Sequence, residues 1–292
     1  MISRILSFFK TYREAFLWGG MSGVLIGTSW IPFPPWALFF SFVPFWFFIL
    51  KSERSWREIL LAGWMTQFVL TLIGFHWVAY VAHEFGYMPW PFAIIMLLLF
   101  AAGMHVYIAL AAFVALALGQ KLKLSIGAKL LSLAILTALF EQFWPSIFSW
   151  NMGYPLLWTQ SSLVQWADVI GFSGLSFVVF LLNAWVCWLF LHKNLKLAGV
   201  STLILSITLG LLHWGAQEKK KFWQQTDSEL KTLMVQANIG NMERIYAEQG
   251  KGFHQFIVDE FFNLTREGLQ QYPETQLVLW PESAFPDVLD SF

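Results

Sequence analysis

The chain has 292 residues, 57% of them hydrophobic and only 12% charged, with 30 Phe, 17 Trp and a mean hydropathy of +0.58. A soluble domain carries about 25% charged residues, so this composition excludes a wholly soluble globular protein and points to an integral membrane protein. The net charge of zero gives no global field for nucleic acid, and the single cysteine, Cys187, excludes a disulfide framework or a cysteine-based metal cluster.

The first ten residues, Met1 to Lys10, are too short and interrupted for a cleavable signal peptide. The first long apolar run has no small-residue cleavage pattern and reads as a retained span. A helix crossing about 30 Å of hydrocarbon needs roughly 20 apolar residues. Runs with little or no charge supply candidates at 15–30, 36–50, 59–82, 90–118, 128–144, 171–192 and 197–214. The expected fold class is therefore an α-helical polytopic membrane bundle of about seven spans. Ile31-Pro-Phe-Pro-Pro35 separates the first two runs, and Pro89 and Pro91 open the fourth. Trp30, Trp36, Trp56, Trp90, Trp144 and Trp214 recur near proposed ends, as interfacial tryptophans do.

Charge sets an expected orientation. Arg4, Lys10 and Arg13 precede the first run; Lys51, Arg54 and Arg57 follow the second; Lys121, Lys123 and Lys129 follow the fourth; Lys193 and Lys196 follow the sixth. The alternate loops, 31–35, 83–89 and 145–170, contain neither Lys nor Arg. The positive-inside rule places the N-terminus in the cytoplasm and the region after the last span outside. Lys219-Lys220-Lys221 runs against this pattern, but charges ahead of a large translocated segment weigh less.

The 145–170 loop is aromatic and almost uncharged (Phe148-Ser-Trp150-Asn-Met-Gly153-Tyr154), so it is expected at the outer interface or folded back into protein. It is either a loop packed on the bundle or a wall for a lipid chain. Polar residues inside spans are functional candidates. His76, His105 and His213 are each expected to be neutral and bonded to a backbone carbonyl. Glu141 sits either at the interface or paired inside the bundle. Cys187, with no His or acid within a helical turn, reads as a small packing residue.

From Gln217 the composition changes. Lys231 to Ala237 reads as a strand and Asn238-Ile-Gly-Asn-Met242 as a turn. Gly252 to Tyr272 has apolar residues at helical spacing (Phe256, Ile257, Phe261, Leu264), and Gln276 to Trp280 is a second strand. The crossover is long enough for a parallel pair. Pro281 holds Trp280 extended and ends the strand. Glu282 is thereby presented at a strand's carboxyl end, where open α/β sheets place reacting groups. Leu277 to Trp280 is apolar on both faces and calls for layers on both sides. The domain is therefore expected to continue past Phe292 or to be completed by a partner.

Together, Leu279-Trp280-Pro281-Glu282-Ser283-Ala284-x-Pro286, Met234-Val-Gln-Ala-Asn-Ile239, Phe85-Gly86-x-Met88-Pro89 and Trp150-x-x-Gly153-Tyr154 resemble the apolipoprotein N-acyltransferases. These are bacterial inner-membrane enzymes with a nitrilase-like domain outside the membrane. The resemblance covers essentially the whole chain. It implies residues 1–216 as the transmembrane domain and 217–292 as the N-terminal part of an extracytoplasmic nitrilase-like (CN hydrolase) domain. It implies a two-step transfer in which a cysteine takes an acyl chain from a phospholipid as a thioester. The chain then passes to the α-amine of a lipoprotein's diacylglyceryl-cysteine. Of the family's Glu-Lys-Cys triad, Glu282 matches the glutamate, the general base. The family's Lys and Cys lie downstream of that position and no residue here matches them, so the chain by itself is expected to be inactive. Family members commonly carry an Arg shortly after the position of Glu141; here Gln142-Phe143-Trp144 follow. No metal, cofactor or nucleic acid is implied. A membrane-tethered nitrilase-type amidase would use the same Glu, and a non-catalytic relative binding lipid or a partner would need none; the uncharged 145–170 stretch favours acyl transfer, and the unmatched Lys and Cys favour the non-catalytic relative.

Overall fold

The computed structural model describes residues 2–148, 150–192, 194–225, 228–240, 253–282 and 284. The chain divides into two compact units, Met1–Phe222 and Trp223–Phe292.

The first unit is helical. Helices α1 (Ile2–Thr11) and α2 (Arg13–Gly27) open it. α3 (Val43–Lys51) is short, and α4 (Trp56–Gly74) starts on a capping box in which Ser55 and Glu58 bond reciprocally. Then come α5 (Trp77–Glu84), α6 (Trp90–Gly103), α7 (Tyr107–Lys121) and α8 (Ile126–Phe143). Two 3₁₀ turns, Tyr154–Thr159 and Ser162–Trp166, lead into α9 (Ala167–Leu191) and α10 (Leu195–Gln224).

α2 and α4 meet through a small-residue stripe. Gly19, Gly23 and Gly27 recur every fourth residue on one face of α2. A Cβ at Gly19 would run into the Ala62 carbonyl, and one at Gly23 would stand 2.6 Å from Val69 Cβ and 2.7 Å from the Thr66 carbonyl. The missing side chains let the backbones touch, as membrane helices favour, because lipid supplies no hydrophobic drive between them. Thr66 Oγ1 uses the proximity and donates to the carbonyls of Gly19 (3.1 Å) and Ala62 (2.9 Å). Arg54 ties the helix starts together, bonding Glu14 at 3.0 Å and Glu58 at 3.1 Å.

The expected seven spans meet four helices that are long and apolar enough to cross a membrane, among the described residues. These are the α6–α7 pair over Trp90–Lys121, α8, the Ser162–Leu191 segment and α10, with a fifth if α4 and α5, bent by 54°, form one span. The run at 36–50 is shorter as a helix because of Pro44. A proline has no N–H and collides with the carbonyl four residues back, so α3 starts beside it. Residues 36–42 make turns instead, with Ala37, Leu38, Ser41 and Phe42 buried and Trp36, Phe39 and Phe40 exposed, and side chains satisfy backbone groups of the buried part. Asn183 on α9 accepts from the Phe42 N–H (2.8 Å) and donates to the Leu38 carbonyl (2.9 Å). Ser29 accepts from Ala37 N–H and Ser22 from Phe45 N–H, each at 2.9 Å. Trp46, Phe42, Phe45, Phe48 and Phe180 fill the core around them.

The second unit is small. β1 (Thr232–Met234) and β2 (Leu277–Leu279) pair in parallel, with Thr232 opposite Leu277 and Met234 opposite Leu279. α11 (Phe253–Gln271) makes the crossover. The strands are shorter than the runs Lys231–Ala237 and Gln276–Trp280 suggest. α11 covers one face: Val235, Ile257, Phe261 and Ala284 form a buried cluster, with Leu233, Ala237, Val278 and Trp280 against it. The other face is open, with Met234 78% exposed and Leu279 45% exposed.

Candidate functional site at the strand ends

The strand ends position Glu282. Trp280 closes β2 by locking onto α11: its ring lies 5.2 Å from Phe261 and 5.1 Å from Phe262, and its Nε1 donates to Thr265 Oγ1 at 2.9 Å. The Thr265 hydroxyl donates to the Phe261 carbonyl at 2.7 Å, which leaves its oxygen free to accept from the indole. The chain then leaves the sheet at Pro281. Ala284 N–H donates to the Pro281 carbonyl at 3.2 Å, closing a turn that carries Glu282 exposed, while Ala284 is buried beneath it. Beside β2, Asn238 takes a left-handed backbone (φ 52°), tolerable for an asparagine.

A cleft of about 500 Å³ lies at these ends. Its floor is apolar (Met234, Phe261, Leu279, Trp280), with Gln236, Asn238 and Pro281 also lining it. Glu282, exposed and next in sequence to the lining residue Pro281, is a carboxylate that can take a proton from an incoming nucleophile. Lys231 lies at the opposite, amino end of β1, near Glu274 at 3.9 Å. Within the second unit, Lys231 is the described lysine and there is no described cysteine. Ser283 and Phe285 to Asp287 of the motif lie outside the described residues, as do Asn241 and Met242 of the expected turn. Gln236 lines the cleft without having been singled out; its signal in the sequence is alternation, since Val235 and Ala237 face α11.

The polar residues of the helical unit settle differently from expectation. His76 Nδ1 meets the Ile73 carbonyl at 2.8 Å, as expected. His105 instead meets the Thr71 hydroxyl at 2.9 Å, and His213 meets the Gln217 side chain at 2.9 Å. Cys187 is buried in the core. Glu141 is buried and accepts from the Met152 N–H at 3.1 Å, so its role is to hold a loop backbone, with no cation beside it among the described residues. Residues 150–155 of that loop are buried or half-buried in protein, while Ile147, Leu157 and Trp158 stay exposed. Trp150 stacks on Trp30 at 4.4 Å, and the Trp30 indole donates to the Asn151 carbonyl at 3.2 Å. Gly153 N–H reaches both Asn151 Oδ1 (2.8 Å) and Ser176 Oγ (2.9 Å). A Cβ at Gly153 would stand 2.6 Å from the Phe172 carbonyl, so only glycine fits that approach. Lys219, the feature that opposes the charge pattern, pairs with Asp168 at 2.9 Å.

Comparison with known proteins adds the family. The apolipoprotein N-acyltransferase N-terminal domain matches residues 22–185, more than half of the chain. The chain is 46% identical over 292 residues to the apolipoprotein N-acyltransferase of Bdellovibrio bacteriovorus, covering 99% of this chain and 53% of that protein. It is 24% identical over 302 residues to the enzyme of that name from Chlorobaculum tepidum, covering 98% and 51%. For the one from Vibrio vulnificus the identity is 23% over 273 residues, covering 90% and 49%. The chain thus spans about half the length of the curated relatives it matches. On the match over its helical unit, the chain belongs to the apolipoprotein N-acyltransferase family.

Proposed function

We propose that the protein transfers a fatty acyl chain from a phospholipid to the N-terminal diacylglyceryl-cysteine amine of apolipoproteins. The observation that carries this is family membership joined to a parallel strand whose carboxyl-end turn presents Glu282 beside an apolar cleft. In the first step a thiolate attacks the donor's ester carbonyl, forms a thioester and releases a lysophospholipid. In the second the lipoprotein amine attacks the thioester, forms the amide and frees the thiol. Glu282 is the general base in both steps: it takes the thiol's proton and returns it to the departing lysophospholipid oxygen, then takes a proton from the lipoprotein amine and returns it to the departing thiolate. A lysine and the thiol itself are the partners the family chemistry requires. Both substrates are lipid-anchored, which is why the chemistry is tied to a helical membrane unit.

The same reading sets the helical unit in the bacterial inner membrane with seven crossings. The N-terminus lies in the cytoplasm, and residues 217–292 begin a periplasmic nitrilase-like domain. The support is the Lys and Arg alternation between loops and the strand–helix–strand order. The 145–170 segment, apolar and folded against the bundle, forms part of the wall along which an acyl chain lies.

The test is acyl transfer from labelled phospholipid to a diacylglyceryl peptide by the membrane-embedded protein carrying this sequence. Glu282→Gln keeps the side chain's size and removes the base. Loss of a general base costs about 10²- to 10⁴-fold in rate, and that loss is expected here with the protein still folded. Transfer at the unsubstituted rate in Glu282→Gln would sink the assignment.

A further inference from the structure

The long apolar segment Trp90–Lys121 is broken at Met104–Val106, between α6 and α7, with neither proline nor glycine at the break itself. A break inside a membrane helix persists only where protein or water satisfies the freed backbone groups. Here side chains do much of this. Trp64 Nε1 and Gln67 Nε2 donate to the Ala102 carbonyl at 3.0 and 3.1 Å, Trp144 Nε1 donates to the Met104 carbonyl at 3.0 Å, and Gln67 Oε1 accepts from the His105 N–H at 3.1 Å.

Three polar atoms at this break are buried and have no hydrogen-bond partner: His105 Nε2, Tyr107 OH and Trp150 Nε1. Their residues are 1%, 2% and 8% exposed. They converge on one place. The rings of His105 and Trp150 are 4.6 Å apart and those of His105 and Tyr107 6.0 Å. Tyr107, Trp150 and Ser176 all lie near the buried Glu141 carboxyl, and Trp150 also lies near the Tyr107 hydroxyl.

The roles of these atoms follow from their neighbours. Thr71 Oγ1 donates its proton to the Gln67 carbonyl at 2.6 Å. It must therefore accept from His105 Nδ1–H, and a neutral His105 then presents Nε2 as an acceptor. Tyr107 OH and Trp150 Nε1–H are donors. The Glu141 oxygen not used by Met152 is an acceptor. The two buried donors and the buried His105 acceptor, with the Glu141 carboxyl beside them, match the bonding capacity of one water molecule. Internal waters typically make about three such bonds to otherwise unsatisfied groups.

We propose that the α6–α7 break holds a structural water site formed by His105, Tyr107, Glu141 and Trp150. The water accepts from Tyr107 OH and Trp150 Nε1–H and donates to His105 Nε2 and Glu141. It joins the break to the Trp150–Gly153 turn, two features that no direct bond between these four side chains connects.

An experimental density map of the protein in lipid nanodiscs, at a resolution that shows ordered waters, tests this directly. A single peak within about 2.6–3.2 Å of Tyr107 OH, Trp150 Nε1 and His105 Nε2 is expected. Direct bonds from Tyr107 and Trp150 to Glu141 with no peak between them would overturn the site, as would density for a larger occupant. A thermal-unfolding cycle gives a second reading. Tyr107→Phe and His105→Leu each remove one partner of the same water, so their Tm shifts should sum to more than the shift of the double variant. Additive shifts would mean that the two residues share nothing. The cycle cancels the Thr71 bond that His105→Leu also loses, because that loss is common to both backgrounds.

Discussion

The two units solve the same backbone problem in opposite ways. In the helical unit, irregular stretches run through the interior and side chains from distant elements satisfy them, as Asn183 does for Leu38 and Phe42. In the strand unit, the backbone pairs only with itself over three residues per strand, and one sheet face stays open. The contrast shows where each unit is brittle. The helical unit depends on close approach and on single polar side chains; the strand unit depends on one apolar layer and on Trp280.

That contrast can be broken from its strongest point downward. Gly23→Leu places a branched side chain where even a Cβ would stand 2.6 Å from Val69. Overpacking a tight core costs about 1–3 kcal/mol and occasionally more, and the same Cβ would also stand 2.7 Å from the Thr66 backbone carbonyl, which cannot rotate away, so the upper end or beyond is expected. Monodisperse, helical Gly23→Leu protein with an unchanged Tm in detergent would show that α2 and α4 do not pack through the stripe. Next, Asn183→Leu leaves the Phe42 N–H without its side-chain partner and the Leu38 carbonyl with only the longer bond from Ser41 at 3.4 Å. At about 1–3 kcal/mol per stranded buried group, a loss of about 1–3 kcal/mol is expected in thermal or denaturant unfolding; an effect under about 0.5 kcal/mol would refute the capping role. The smallest effect is expected in the strand unit. Thr265→Val keeps the volume and removes the acceptor of the Trp280 indole together with the hydroxyl's own bond to the Phe261 carbonyl. About 1 kcal/mol should be lost, with faster amide exchange at Val235, whose N–H bonds the Leu279 carbonyl. Unchanged exchange there would mean that Trp280 does not anchor the end of β2.

Much of the architecture was legible in the sequence for identifiable reasons. Apolar runs with little or no charge marked the helical half, because lipid tolerates little else. The strand–helix–strand order could be read because α11 keeps its apolar residues at helical spacing, and Pro281 fixed where Glu282 leaves the sheet. The interruptions were harder. Pro44 was a readable signal, and it outweighs the apolarity of 36–50. The break at Met104–Val106 has no breaker of its own; its partners Trp64, Gln67 and Trp144 lie about 40 residues away in sequence and meet it only in the fold. Glu141 was undecidable for the same reason, since its partner is the backbone of Met152, which any residue type would supply. The stripe Gly19-Gly23-Gly27 was visible in the sequence, but the partner that makes it meaningful, Ala62 to Val69, was not.

The tryptophans of this chain carry a further consequence. Their positions suggest markers of membrane depth, yet Trp30, Trp64 and Trp144 each spend their single N–H on a carbonyl in or next to an irregular segment. An indole is a donor that cannot accept, so each of these rings is a one-way staple whose bulk and polarity do separate work. Phenylalanine at the same position would keep the bulk and discard the staple. A tryptophan-to-phenylalanine scan would therefore divide the 17 indoles into those that face lipid and those that fasten loops.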